Sequence, residues 1–271
     1  MGLEVSRAAR RAQVGLAVIL LSIVPWFLTT GMAAGLDAQP MHDPMHHERD
    51  ANQSMEMAAN EPADAAAQAK LQAKLLADKN ESERNHHIAG FFLVMAGFFV
   101  LFQSSLRKRW PVVKYVWPLC FLLAGIFVMI WSDTELWPFG HRHWLEALQN
   151  NREVLQHKIF AILLLALGAV EWQRVRGILV AAWSAWVFPV AAIFGSVILV
   201  FHQHEGGMVG PHHMETMARI QTQHLGYTAC GVGIGLVKGL TESSPYISAI
   251  TAKMWPSLLL LLGVLLMFYR E

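Results

Sequence analysis

Six stretches of this chain stay apolar for close to the length of a membrane-crossing helix, and that constraint governs what it can fold into. They cover about 86–106, 113–131, 154–172, 178–201, 224–240 and 254–269. Roughly 20 helical residues span a hydrocarbon core. Hydrocarbon offers no partner to a peptide group, so each stretch must satisfy its own N–H and C=O groups as a helix. Only 15% of the 271 residues are charged and 54% are hydrophobic, too little charge to clothe a soluble domain of this size. The expected fold class is all-α: a polytopic membrane helix bundle of six core transmembrane helices embedded in lipid. The fifth stretch is the least apolar.

Lysine and arginine set the expected orientation. Arg107, Lys108, Arg109 and Lys114 fall between the first two stretches or at their facing edge, Arg174 and Arg176 between the third and fourth, and Lys238 and Lys253 on the side where the fifth and sixth join. These loops are expected on the cytoplasmic side. The loop with Asp133, Glu135 and Glu146 and the loop after Phe201 are then extracytoplasmic. The net charge of +1 gives no reason to expect a nucleic-acid partner.

The N-terminus agrees. Arg7, Arg10 and Arg11 precede an apolar run from Val14 to Leu28 and then small residues, the order of a secretory signal. Residues 1–36 are therefore expected to be a signal peptide or an anchor helix. Residues 37–85 form an extracytoplasmic Met/His-rich segment with a lead-in helix from Glu61, capped by Asn60 and with Pro62 in its first turn. Residues 86–271 form the transmembrane domain. Met41, His42, Met45, His46 and His47, followed by Met55 and Met57, are thioethers and imidazoles, which suit copper. They are expected to capture metal.

All thirteen histidines fall on the extracytoplasmic side of this topology. His87, His157, His202 and His224 come from four different helices at similar depth, and helix bundles build metal sites by pooling side chains in this way. The stretch FHQHEGGMVGPHHMETMARIQTQH adds His204, His212, His213 and Met214, with Gly206, Gly207, Gly210 and Pro211 to let the loop fold back. Asp133, Glu135 and Glu205 are candidates for orienting the imidazoles. Gly231, Gly235 and Gly239 recur every four residues and bare one helix face to a neighbour. GVGIG lacks the preceding strand a nucleotide loop needs. Cys120 and Cys230 lie in apolar stretches and form no CxxC pair, so they read as packing residues.

Copper handling is the leading expectation, with copper held by histidine and methionine at the outer membrane edge. A b-type haem electron-transfer protein is the alternative. Haem iron can take histidines from facing helices, with His157 and His224, or His87 and His202, as pairs. A metal-dependent hydrolase is disfavoured because no HExxH spacing occurs, and no enzymatic activity is expected. Copper permeation would need deeper soft ligands. Met95, Met129, Cys120 and Cys230 are the available ones, and each reads more simply as packing.

The combination of WSDTELWPFG, EVLQHKIFAILLLALGAVE, FHQHEGG, HHMET and QTQHLGY, over about residues 86–240, resembles the CopD-type copper resistance membrane proteins. The resemblance implies a bacterial inner-membrane location, transfer of copper between periplasm and cytoplasm, and a periplasmic copper carrier as partner.

Overall fold

A computed structural model describes residues 53–202 and 213–271; for 53–64, 213 and 214 it describes the helical backbone alone. Residues 1–36, Met41, His42, Met45, His46, His47, His204, Glu205 and His212 lie outside the described residues. The described chain is helical: α1 (Gln53–Leu106), a 3-10 turn (Pro111–Tyr115), α2 (Val116–Trp131), α3 (Trp144–Asn150), α4 (Arg152–Val175), a second 3-10 turn (Ala182–Trp186), α5 (Val187–Val200), α6 (His213–Ser243) and α7 (Ser248–Met267). It falls into two compact units divided after Asp78. In the first, residues 65–78 are almost wholly exposed. The second, Lys79–Glu271, is the helix bundle.

Among the described residues, five helices are long and apolar enough to cross a membrane: Ala65–Leu106, Pro111–Trp131, Arg152–Val175, Ala182–Val200 and Ser248–Met267. The sixth expected crossing, α6, is 31 residues long but more polar in its first half. It packs along both α5 and α7, so it belongs to the bundle by position. Two expected helix starts shift. The lead-in helix and the first crossing are one continuous helix that begins at Gln53, so Asn60 and Pro62 lie inside it. The Met, Glu and Ala residues before them are strong helix formers, and a single proline removes only one backbone donor. Helix α6 opens at His213 instead of near His224, and α3 folds within the expected loop.

The six long helices of the bundle are three copies of one helix pair. In α2, α5 and α7 a buried aromatic–proline dipeptide recurs: Trp117-Pro118, Phe188-Pro189 and Trp255-Pro256. The prolines are 71 and then 67 residues apart. In α1, α4 and α6 an amide–histidine dipeptide is followed eleven residues later by glycine: Asn85-His86 and Gly97, Gln156-His157 and Gly168, Gln223-His224 and Gly235. These histidines are also 71 and then 67 residues apart. The contacts repeat with the sequence. A Cβ on Gly97 would lie 2.8 Å from Leu260 N, one on Gly168 would lie 2.8 Å from Leu122 Cγ, and one on Gly235 would lie 2.5 Å from Ile193 Cγ1. Each of those neighbours stands four residues after its helix's proline. Each glycine thus joins its helix to an aromatic–proline helix, pairing α4 with α2, α6 with α5, and α1 with α7.

The amides join each pair to the next. Asn85 Nδ2 donates to Trp131 O at 3.2 Å, Gln156 Nε2 to Phe201 O at 3.2 Å, and Gln223 Nε2 to Arg270 O at 2.7 Å. Glycine contacts and amide bonds alternate around a closed ring. At the end away from the histidines the three aromatic rings meet, with centroids 6.4 Å apart for Trp117–Phe188, 6.1 Å for Trp117–Trp255 and 5.2 Å for Phe188–Trp255. Ala96, Cys120, Phe121, Leu167, Ile234 and Leu259 complete this core. Cys120 and Cys230 are both free thiols, Cys120 buried, as expected. Lipid tails are as apolar as leucine, so close packing must supply the cohesion that the hydrophobic effect supplies in water.

Gly168→Val and Gly235→Val are expected to destabilise the bundle by about 1–3 kcal/mol each through overpacking. Gly226, where an added Cβ meets nothing within 4 Å, is the control: Gly226→Ala is expected to leave stability unchanged or raise it. Thermal unfolding in detergent measures both.

Candidate metal centre

The end of the bundle that carries the amide bonds also gathers the histidines. Helix α4 starts at a cap in which Asn151 Oδ1 accepts from Val154 N at 2.8 Å. That start places Glu153 and His157 four residues apart, on one face of the first turns. His202 follows the end of α5, and His224 sits three turns into α6. His202 is 4% exposed and His224 1%. Ring centroids are 5.3 Å apart for His157–His202 and 5.2 Å for His202–His224. His86 continues the row, 6.4 Å from His224. Ligand atoms of Glu153, His157 and His202 all lie within 4.8 Å of one another, close enough to close on one ion.

The hydrogen bonds around these rings select their tautomers. His157 Nδ1 lies 3.0 Å from Asp133 Oδ1, and a carboxylate can only accept, so Nδ1 carries the proton. His202 Nδ1 lies 2.6 Å from Gln156 Oε1. The amide orientation is set because its nitrogen donates to Phe201 O, so His202 is also protonated at Nδ1. His86 Nδ1 lies 2.8 Å from Ser82 O, another obligate acceptor. In the neutral form of each ring the lone pair is therefore on Nε2, the arrangement in which metal-binding histidines are held.

Asp133 anchors this end. Its Oδ2 pairs with Lys158 Nζ at 2.8 Å while Oδ1 holds His157. Lys158 Nζ also donates to Met129 O and Ser132 Oγ and lies over the Trp144 ring. Lys158 follows His157 in the chain, and both reach the same carboxylate. Burial alone would raise the Asp133 pKa. The hydrogen bond and charge of His157, with hydrogen bonds from Lys158 and Ser132, outweigh that and hold it at about 2. Tyr269 covers the row. Its ring stacks on His86 at 3.9 Å and lies 6.2 Å from His224, and its hydroxyl donates to Glu271 Oε1 at 2.9 Å. Burial and the Glu271 charge push the phenol up.

Of the expected ligands, the structure brings His157, His202 and His224 together. His87 faces elsewhere: its Nε2 lies 3.1 Å from Tyr269 O. Successive helix residues point about 100° apart, and it is His86 that faces His224. His213 and Met214 open α6. Of the expected orienting acids, Asp133 is in place. Glu135 pairs with exposed Arg142 at 3.0 Å and is not part of the row. Glu153 and His86 were missed, although the Glu-x-x-x-His spacing of 153 and 157 was a readable signal for the first. Comparison with protein-family models, with curated proteins and with solved structures finds no match.

Asp133→Asn is expected to cost about 3–5 kcal/mol, because it leaves the Lys158 ammonium buried without its counter-charge. Asp133→Asn combined with Lys158→Met should recover most of that loss in thermal unfolding. The pH dependence has a fixed sign. With a depressed carboxyl, the stabilisation of about 2 kcal/mol is present above its ordinary value and is lost as pH falls through about 2.

Proposed function

We propose that this protein handles copper at the extracytoplasmic face of a bacterial-type inner membrane. The observation that carries the reading is the Glu153–His157–His202 cluster, with Nε2 lone pairs set by Asp133 and Gln156. Two imidazoles and a carboxylate suit a borderline divalent ion such as Cu(II). The Met/His segment at 41–57 and the Met- and His-rich loop around His204, His212, His213 and Met214 are read as softer ligands that bring copper to this centre from a periplasmic carrier. The lysine and arginine pattern supports an outward-facing histidine end, and the CopD-type resemblance supports copper as the cargo.

The spacing of the imidazoles favours an ion over a haem. The two expected axial pairs, His157 with His224 and His87 with His202, do not face one another across a gap. His202 stands beside both His157 and His224, and His87 is engaged by Tyr269 O. Deeper in the bundle the contacting rings of Trp117, Phe188 and Trp255 offer no ligand. The geometry therefore favours capture and hand-over at one face, with passage across the membrane requiring those rings to separate.

His157→Ala and His202→Ala are each expected to weaken Cu(II) binding to the purified protein by more than about tenfold, since loss of even an outer partner of a ligand costs 10–100-fold. Glu135→Gln should leave it unchanged. Equilibrium dialysis with the electron paramagnetic resonance spectrum of bound Cu(II) measures this. Wild-type affinity in His202→Ala, or a haem absorption spectrum in the purified protein, would contradict the reading.

A further inference from the structure

The threefold repeat makes His86, His157 and His224 equivalent residues, yet the Glu153–His157–His202 cluster uses only one of them. The repeat also aligns Trp131, His202 and Tyr269, which are again 71 and 67 residues apart. Histidines and these second residues thus alternate around one end of the bundle. Between His157 and His224 stands an imidazole, His202. Beside His224 and His86 lies Tyr269, whose hydroxyl donates to Glu271.

The spacings can be compared with what an ion requires. A metal–nitrogen bond is about 2.0–2.1 Å, and an imidazole centroid lies roughly 1.1 Å beyond its nitrogen, so two rings on one ion stand about 5.1 Å apart at a tetrahedral angle and about 6.3 Å apart when opposed. His157–His202 at 5.3 Å and His202–His224 at 5.2 Å match the first value, and His86–His224 at 6.4 Å matches the second. The bond from His86 Nδ1 to Ser82 O leaves the His86 lone pair on Nε2. The rings of His86 and His224 are both shielded by Tyr269, and His224 is almost fully buried.

We propose that His86 and His224 form a second copper position, two-coordinate and selective for Cu(I), adjoining the Glu153–His157–His202 position through His202. Opposed two-nitrogen coordination is a geometry that a d10 cuprous ion accepts and that Cu(II), which prefers tetragonal N,O sites, does not. The two positions then differ in oxidation-state preference. The carboxylate-containing one holds Cu(II), and the all-imidazole one holds Cu(I). This inference rests on the copper reading above for its cargo but adds a separate site with its own residue, His86.

The test uses the purified full-length protein, dialysed in parallel against Cu(I) under reductant and against Cu(II) without it. Wild type is expected to take up about one more equivalent of Cu(I) than His86→Ala, while both give the same Cu(II) resonance spectrum and affinity. That unchanged Cu(II) signal also reports that the variant is folded. Should His86→Ala lose it, His86→Gln replaces it, keeping a donor towards Ser82 O. X-ray absorption of the Cu(I)-loaded wild type should show a two-coordinate component, a readout that needs no variant. Equal Cu(I) uptake by wild type and the His86 variants, or no two-coordinate component, overturns the second position. Failure of wild type to bind copper in either state overturns the copper reading itself.

Discussion

Asp133 is the residue on which the histidine end depends. One carboxylate faces an imidazole and an ammonium together, on the first turns of α4 and at the end of α2. A buried lysine is costly without a partner, and a histidine without an acceptor can take either tautomer. Asp133 resolves both. It neutralises Lys158 and fixes the His157 proton on Nδ1, which leaves the lone pair of the neutral ring on Nε2. The ionised form of Asp133 is stabilised by the same two neighbours, so the anchor and the groups it holds support one another. Gln156 does the same work for His202 while tying α4 to α5, so one of the bonds that close the ring of helices also sets an imidazole's orientation.

The fold class and the clustering of histidines could be read from the chain, because both follow from period and position. Apolar length identifies a crossing helix whatever it packs against, and the Lys/Arg pattern places helix ends. The glycine run in α6 was also legible. Gly231, Gly235 and Gly239 do meet α5, at Ser196, Ile193 and Pro189. What escaped was rotational detail. His86 and His87 are adjacent, and hydropathy at a helix end does not tell which of the two faces inward. Glu153 was overlooked because a carboxylate in a first helical turn is usually a response to the helix dipole. Lys158, next to His157 in sequence, projects from the helix about 100° away from it. Its long stem reaches Asp133 all the same.

The repeat was harder to see than the motifs, and the reason is topological. The histidine-bearing helix of one repeat, α1, comes near the start of the chain, and its aromatic–proline partner, α7, comes last. Read in order, the pairs are out of phase, and only the closed ring shows which helices belong together. Conserved spacing then exposes unequal chemistry. The aligned positions fourteen residues after the three histidines are Val100, Glu171 and Lys238. The last two enter a network in which Arg174 binds Glu171 at 2.7 Å and Glu242 at 3.2 Å, and Lys238 pairs with Glu242. That network borders a cavity of about 490 Å³ at the end away from the imidazoles. One backbone plan thus carries ligands at one end and balanced charges at the other.

The meeting of Trp117, Phe188 and Trp255 gives the bundle the mechanics of an iris. Each blade is rooted in a different helix pair, and each is followed by a proline that removes one backbone hydrogen bond near its root. Three blades that touch at one node seal it jointly, so none can swing aside without losing contact with both others. Parting any one ring from this node therefore involves all three repeats.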